Sequence, residues 1–246
     1  MGKFDSARRE ILKNAGLAGV GALASGFLLN SAAKAAGNIK TPPQTEGPFY
    51  PILNQLDKDA DMTRVKGHAE FADGQRILLN GVLLDADTRE PIAGAMVEFW
   101  QACASGKYDH PNDSNTAPLD PHFQYWAQVI TNNSGQFRVL SIKPGAYPAS
   151  EGWDRPPHIH VKVHKVGYPS LTTQLYFKGD PLNEKDLILK KISPAERHLV
   201  VVDFAESPEV ARGTLEGAWS IYIGKFLASG GRSTVSGRML STPEIE

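Results

Sequence analysis

The chain of 246 residues carries a single cysteine, Cys103. No internal disulfide can form and no thiolate-rich metal site can be built, so Cys103 reads as a small buried or half-buried side chain. Any bound metal must be held by nitrogen and oxygen donors from His, Asp, Glu or Tyr. Net charge is nearly absent as well, 26 Lys and Arg against 27 Asp and Glu giving −1. That balance leaves no electrostatic footprint for nucleic acid, and no basic run suits an anionic membrane surface. The apolar Gly/Ala-rich run from Ala15 to Leu29 is short and glycine-rich for a transmembrane helix, with an uncleaved N-terminal anchor as the alternative reading. No internal repeat is present, and helical periodicity is weak throughout. What remains is 41% hydrophobic content, enough for one sizeable core, and a chain suited to small-molecule chemistry.

The first 36 residues read as a leader. Ala7-Arg8-Arg9-Glu10-Ile11-Leu12-Lys13 resembles the twin-arginine export pattern, the apolar run follows, and Ala33-Lys34-Ala35 offers a small-x-small cleavage site. The expectation is an exported, periplasmic protein with no stable membrane insertion after cleavage. Residues 37–75 read as an extended, proline-dense arm followed by a polar loop, residues 76–226 as the compact domain, and residues 227–246 as a tail.

Within the domain, short strands are predicted at Ile77–Leu84, Ala95–Gln101, Ala127–Thr131, Gln136–Leu140, His158–His164, Leu171–Phe177, His198–Phe204 and Trp219–Ile223. Turn residues separate them, as in Asn132-Asn133-Ser134-Gly135 and Lys143-Pro144-Gly145. Eight short strands without a helical repeat predict an all-β fold, an antiparallel β-sandwich with long loops. Short helical turns are expected in 181–197 and 206–216.

One stretch concentrates chemistry: Pro144 to His160, PGAYPASEGWDRPPHIH. On a strand, His158 and His160 project to one face while Ile159, Val161 and Val163 project to the other. One face can pack on a core and the opposite face offers two imidazoles. Arg155-Pro156-Pro157 fixes φ just before the strand and makes a rigid platform for them.

Further segments stand in a telling order: Thr45-Glu46-Gly47-Pro48-Phe49-Tyr50-Pro51, Val97-Glu98-Phe99-Trp100-Gln101-Ala102, Gly106-Lys107-Tyr108-Asp109-His110, and Thr173-Gln174-Leu175-Tyr176-Phe177-Lys178-Gly179-Asp180-Pro181. With the His-Ile-His strand, they resemble the intradiol ring-cleavage dioxygenases over about residues 41–224, and among them the iron-binding chain of protocatechuate 3,4-dioxygenase. The resemblance implies a prealbumin-like sandwich holding non-haem Fe(III), with Tyr108, Tyr147, His158 and His160 as ligands. It also implies a catecholic substrate, cleaved with O2 to a cis,cis-muconate-type product. Arg155 then matches an arginine that stabilises negative charge on the ring, Gln174 a residue that orients it, and Trp100 a wall of the substrate cavity. His110, His122 and His164 match no ligand position. Two tyrosinates favour a hard trivalent ion over zinc or copper.

The second reading is a non-catalytic, exported prealbumin-like binding module, since Leu79-Asn80-Gly81-Val82 to Ala95 occurs in such modules too. The four donors plus Arg155 separate the readings, because a binding module has no need of them. Two departures bear on the substrate: Ala149-Ser150 follow Tyr147-Pro148 where protocatechuate enzymes often carry an aromatic, and the loop to Arg155 is short. The helical N-terminal region typical of catechol 1,2-dioxygenases is missing. Sequence leaves a homo-oligomer or a partner chain open.

Overall fold

The computed structural model describes residues 39–52, 55 and 57–226. The leader of residues 1–36 and the tail of residues 227–246 lie outside the described residues. Eleven strands are seen among them: β1 (Arg76–Asp85), β2 (Met96–Trp100), β3 (Trp126–Ile130), β4 (Gln136–Ile142), β5 (Tyr147–Ser150), β6 (Trp153–Arg155), β7 (His158–His164), β8 (Leu171–Phe177), β9 (Val201–Val202), β10 (Phe204–Glu206) and β11 (Thr214–Ile223). Short 3-10 turns occur at Pro181–Glu184, Leu189–Lys191 and Arg197–Leu199.

One sheet has the order β10-β11-β1-β4 and the other β3-β2-β7-β8-β9, with β5-β6 as a separate hairpin. Alternation explains the core between the sheets. Phe137 and Val139 turn inward from β4 while Arg138 is exposed, and Ile159, Val161 and Val163 turn inward from β7. The rings of Phe99 and Phe137 meet across the layer at 5.6 Å. Each large apolar side chain buried in this way contributes about 1.5–3 kcal/mol.

The expected sandwich is present, with two strand pairs that are parallel rather than antiparallel. β1 runs parallel to β11 from Arg76↔Thr214 to Asp85↔Ile223, and β8 runs parallel to β9. Neither pair is joined by a hairpin; each is reached by a long crossover, which permits a parallel arrangement. The strand predicted at His198–Phe204 is broken in two. Arg197–Leu199 is a 3-10 turn, β9 joins β8, and after Asp203 the chain changes sheets so that β10 joins β11. No helical turn is seen in 206–216; Thr214 to Gly217 instead extend β11, held by β1 on one side and β10 on the other.

The arm is built into the domain. Thr41 N–H donates to Tyr222 O at 3.0 Å, Gln44 N–H to Thr172 O at 2.8 Å, and Met62 is wholly buried in the core.

Candidate metal centre

The second sheet is buried on both faces. Ile159, Val161 and Val163 face the core, while His158 and His160, 1% and 2% exposed, face the arm and loops. Register sets their neighbours on that face: His160 lies opposite Trp100 on β2 and Gln174 on β8, and His158 opposite Tyr176. Trp100 stacks on the His160 imidazole, ring centroids 4.8 Å apart and planes within 11°. Above the imidazole lies the arm. A Cβ on Gly47, whose φ is +74°, would stand 3.3 Å from His160 Cε1.

The two tyrosines come from loops that touch. Cys103 O accepts both the Gly106 and the Gly145 N–H at 3.0 Å, which ties the loops together. Gly106 has φ +83°, and a Cβ there would lie 2.4 Å from Ala146 O. Only glycine allows both this conformation and this approach. Beyond Gly106 the chain carries Tyr108; beyond Gly145 it carries Tyr147. Tyr108 N–H donates to Asp113 Oδ2 at 2.7 Å, and Lys107 Nζ donates to Asp113 O at 2.6 Å. Tyr147 stands on the β5-β6 hairpin directly opposite Arg155, so the short connection noted in the sequence is a tight turn that pairs these two residues.

The four side chains converge. His158 Nε2 is 3.2 Å from His160 Nε2 and 3.3 Å from Tyr108 Oη, and the Tyr147 ring packs edge-on against Tyr108, centroids 5.5 Å apart, and lies 5.7 Å from the His158 ring. His158 Nδ1 lies 2.7 Å from Pro156 O. A carbonyl can only accept, so Nδ1 carries the proton and the Nε2 of the neutral ring presents a bare lone pair to the centre. Burial, aided by the Arg155 charge, pushes both imidazoles well below their usual range and keeps them neutral. Burial likewise raises both phenols, Tyr108 furthest.

This donor set fits a hard trivalent cation. The His158 lone pair and the two buried phenols gather beside a His160 ring whose Nδ1 has no protein partner. A buried cation reverses the effect of that burial, turning phenols into phenolates whose charge offsets its own. Among the described residues, no group of three or more His, Cys, Asp or Glu side chains forms an alternative site. His164 instead faces Glu98 at 2.8 Å, His122 faces His68 at 3.3 Å, and His110 Nδ1 accepts the Asn112 N–H at 3.1 Å.

Arg155, 3% exposed, is framed by acceptors, its Nη2 donating to Gln174 Oε1 at 2.6 Å. Gln174 is fully buried, its amide donating to Thr45 O at 2.9 Å. Trp100 is 1% exposed, and its indole N–H has no protein partner. Sequence reasoning passed over several residues here. Phe49 packs on Tyr108 at 4.7 Å between ring centroids, and Tyr50 donates to the buried Glu98 at 3.1 Å. Both sit in the quoted arm motif, which was read as packing over the domain. Tyr176 and Asp186 beside Arg155 carried no signal of their own, although Tyr176 shares a strand face with Gln174.

The face of the second sheet thus brings two phenols, two imidazoles and a buried arginine together, and comparison with known proteins places the chain among dioxygenases. The Dioxygenase_C family model, described as "Dioxygenase", matches residues 45–224. The chain belongs to the intradiol dioxygenase family. It is 39% identical over 157 residues to the protocatechuate 3,4-dioxygenase beta chain of Burkholderia cepacia, covering 62% of this chain and 65% of that one. It is 32% identical over 184 residues to catechol 1,2-dioxygenase of Acinetobacter baylyi, covering 68% and 54%. The chain thus spans somewhat less than two thirds of these relatives. Among solved structures, the dioxygenase domain of a dioxygenase carbohydrate-binding protein fusion from Streptomyces sp. SirexAA-E matches with TM-score 0.56 and 28% identity, over 76% of this chain and 99% of that one. The 3-chlorocatechol 1,2-dioxygenase of Rhodococcus opacus 1CP shares the fold at TM-score 0.61 and 23% identity, covering 79% and 77%.

Proposed function

We propose that this chain is a non-haem Fe(III) intradiol dioxygenase. It cleaves a catecholic ring between its two hydroxyl-bearing carbons, both atoms of O2 entering a cis,cis-muconate-type product. The observation that carries this reading is the meeting of the Tyr108 hydroxyl with the His158 and His160 Nε2 atoms, with the Tyr147 ring packed against both Tyr108 and His158. Tyr108, Tyr147, His158 and His160 would hold the ion. Ferric iron there would draw charge from a bound catecholate and so open its ring to O2.

The remaining work falls to the chain itself. Tyr147 Oη stands on an exposed hairpin at the edge of the donor set, where it can take a proton from a catechol hydroxyl. Arg155 supplies a fixed positive charge for the anion that develops on the substrate, and Gln174 holds the guanidinium in place. The arm excludes water above His160, and Trp100 forms a wall with its indole N–H free for a ligand. A non-catalytic module is not favoured, because it gives no reason to bury an arginine beside this donor set and because the family relatives carry dioxygenase names. The twin-arginine pattern and Ala33-Lys34-Ala35 support export to the periplasm, which N-terminal sequencing of protein from a periplasmic fraction checks.

The test is direct. Iron-loaded protein is expected to be red-brown from tyrosinate-to-iron charge transfer and to consume one O2 per catechol cleaved. A colourless iron-loaded protein, or one inert across a panel of substituted catechols, overturns the reading.

A further inference from the structure

Arg155 is held by more than Gln174. Its Nε stands 2.9 Å from Asp186 Oδ1, and its Nη2 lies 3.5 Å from Asp186 Oδ2 and 3.3 Å from the Tyr176 hydroxyl. Asp186 is fully buried between the 3-10 turns Pro181–Glu184 and Leu189–Lys191. Its own position is fixed twice: Oδ2 accepts the Leu189 N–H at 3.0 Å, and its backbone N–H donates to Leu182 O at 3.0 Å. Tyr176 in turn donates to Gln44 of the arm at 2.8 Å.

We propose that Asp186 is the positioning residue for Arg155, the buried counter-charge that takes the Nε and Nη2 side of the guanidinium and leaves Nη1 to meet the substrate anion. The inference rests on the ferric dioxygenase reading for its consequence, not for its geometry. Two physical points carry it. A guanidinium cannot shed its proton, so burying Arg155 calls for a buried anion, and among the described residues the carboxylate in contact with it is Asp186. The carboxylate lies along the Nε edge of the guanidinium as an ion pair, although Nε and Oδ1 themselves lack a hydrogen-bond partner, so it adds an electrostatic hold on orientation to the Gln174 hydrogen bond.

The experiment uses Asp186→Asn, close in shape and uncharged, Asp186→Glu, charged but longer, and each in an Arg155→Gln background. In the Arg155 background, Asp186→Asn is expected to lower kcat about 10–100-fold with KM for catechol within about threefold, and Asp186→Glu to recover part of the loss. In the Arg155→Gln background, Asp186→Asn is expected to change kcat by less than about twofold, because the group it acts through is gone. An equal loss in both backgrounds, or wild-type kcat in Asp186→Asn, overturns the inference.

A second readout is independent of turnover. In protein loaded with diamagnetic Ga(III), the Arg155 Nε–H signal in nitrogen-15 NMR is expected to be sharp and protected from water exchange, and to broaden or exchange rapidly in Asp186→Asn. An unchanged signal overturns the inference. Should Asp186→Asn fail to fold, Asp186→Ser, which also removes the charge, carries both readouts, and a Ser variant with native kcat and native signal overturns the inference. Wild-type protein that consumes no O2 with any catechol overturns the ferric reading alone, leaving the NMR arm to decide the role of Asp186.

Discussion

The two tyrosines reach the same point by unlike means. Tyr108, 3% exposed, sits in a loop clamped from within, where Asp113 holds its N–H and Lys107 is tied to the Asp113 and Asn115 carbonyls. Tyr147 begins a four-residue strand whose next three residues, Pro148, Ala149 and Ser150, are all exposed. Both phenols are buried, 3% and 7% exposed, but one is carried by a clamped loop and the other by a hairpin whose next three residues meet solvent. The difference underlies the proposed division of labour, in which Tyr108 holds the ion and Tyr147 accepts a proton.

The strongest way to break the contrast is to remove what both loops share. Gly106→Ala puts a Cβ 2.4 Å from Ala146 O at positive φ, and a loss of about 3 kcal/mol or more is expected by denaturant unfolding. Metal content should fall with it, and native stability would show that the loops do not depend on this approach. Next, the phenols can be tested singly. Tyr108→Phe is expected to lose most bound iron, whereas Tyr147→Phe should retain most of it while kcat falls about 100-fold or more. Equal losses of iron in the two variants would erase the distinction.

Smaller effects sharpen it. Asp113→Ala removes the acceptor for Tyr108 N–H and should cost about 1–2 kcal/mol, while Ala149→Ser on the exposed hairpin should stay within about 0.5 kcal/mol. Matching thermal midpoints would mean that the Tyr108 loop is no better anchored than the hairpin. The last test lies away from both loops, at the end of β1. Burial raises the Asp85 carboxyl, but the Thr88 N–H, the Tyr168 hydroxyl, the Asp87 N–H and Lys225 outweigh it and hold the pKa at about 2. Its contribution is therefore present above pH about 4 and lost as pH falls from there toward 2. Wild type should lose thermal stability faster than Asp85→Asn across that window; parallel decline would show that this carboxylate is not a stabilising group.

Legibility followed the range of the contacts. Leu171–Phe177 was read to the residue because alternation marks it locally, and the His-Ile-His alternation named the two-faced strand. The β5-β6 hairpin escaped because Tyr-Pro and Trp-Asp-Arg carry no period of two long enough to see. The first half of β11 looked helical because its strand character comes from β1 and β10, far away in sequence. The same holds at the site. His158, His160, Tyr108, Tyr147, Arg155 and Gln174 lie in motifs with an order, while Asp186 sits in a weakly periodic stretch and acquires its partner through folding alone. Gly145 was visible as a turn residue and Gly106 as the head of a motif, but their mutual approach was not.

The first and last strands of the domain, β1 and β11, lie side by side, and Tyr222 exchanges backbone and hydroxyl hydrogen bonds with Thr41 at the start of the arm. Synthesis therefore supplies the closing piece last. Until residue 223 has emerged, the sheet lacks an internal member and the arm its Thr41 fastening, so closure of the domain waits on a late, long-range pairing.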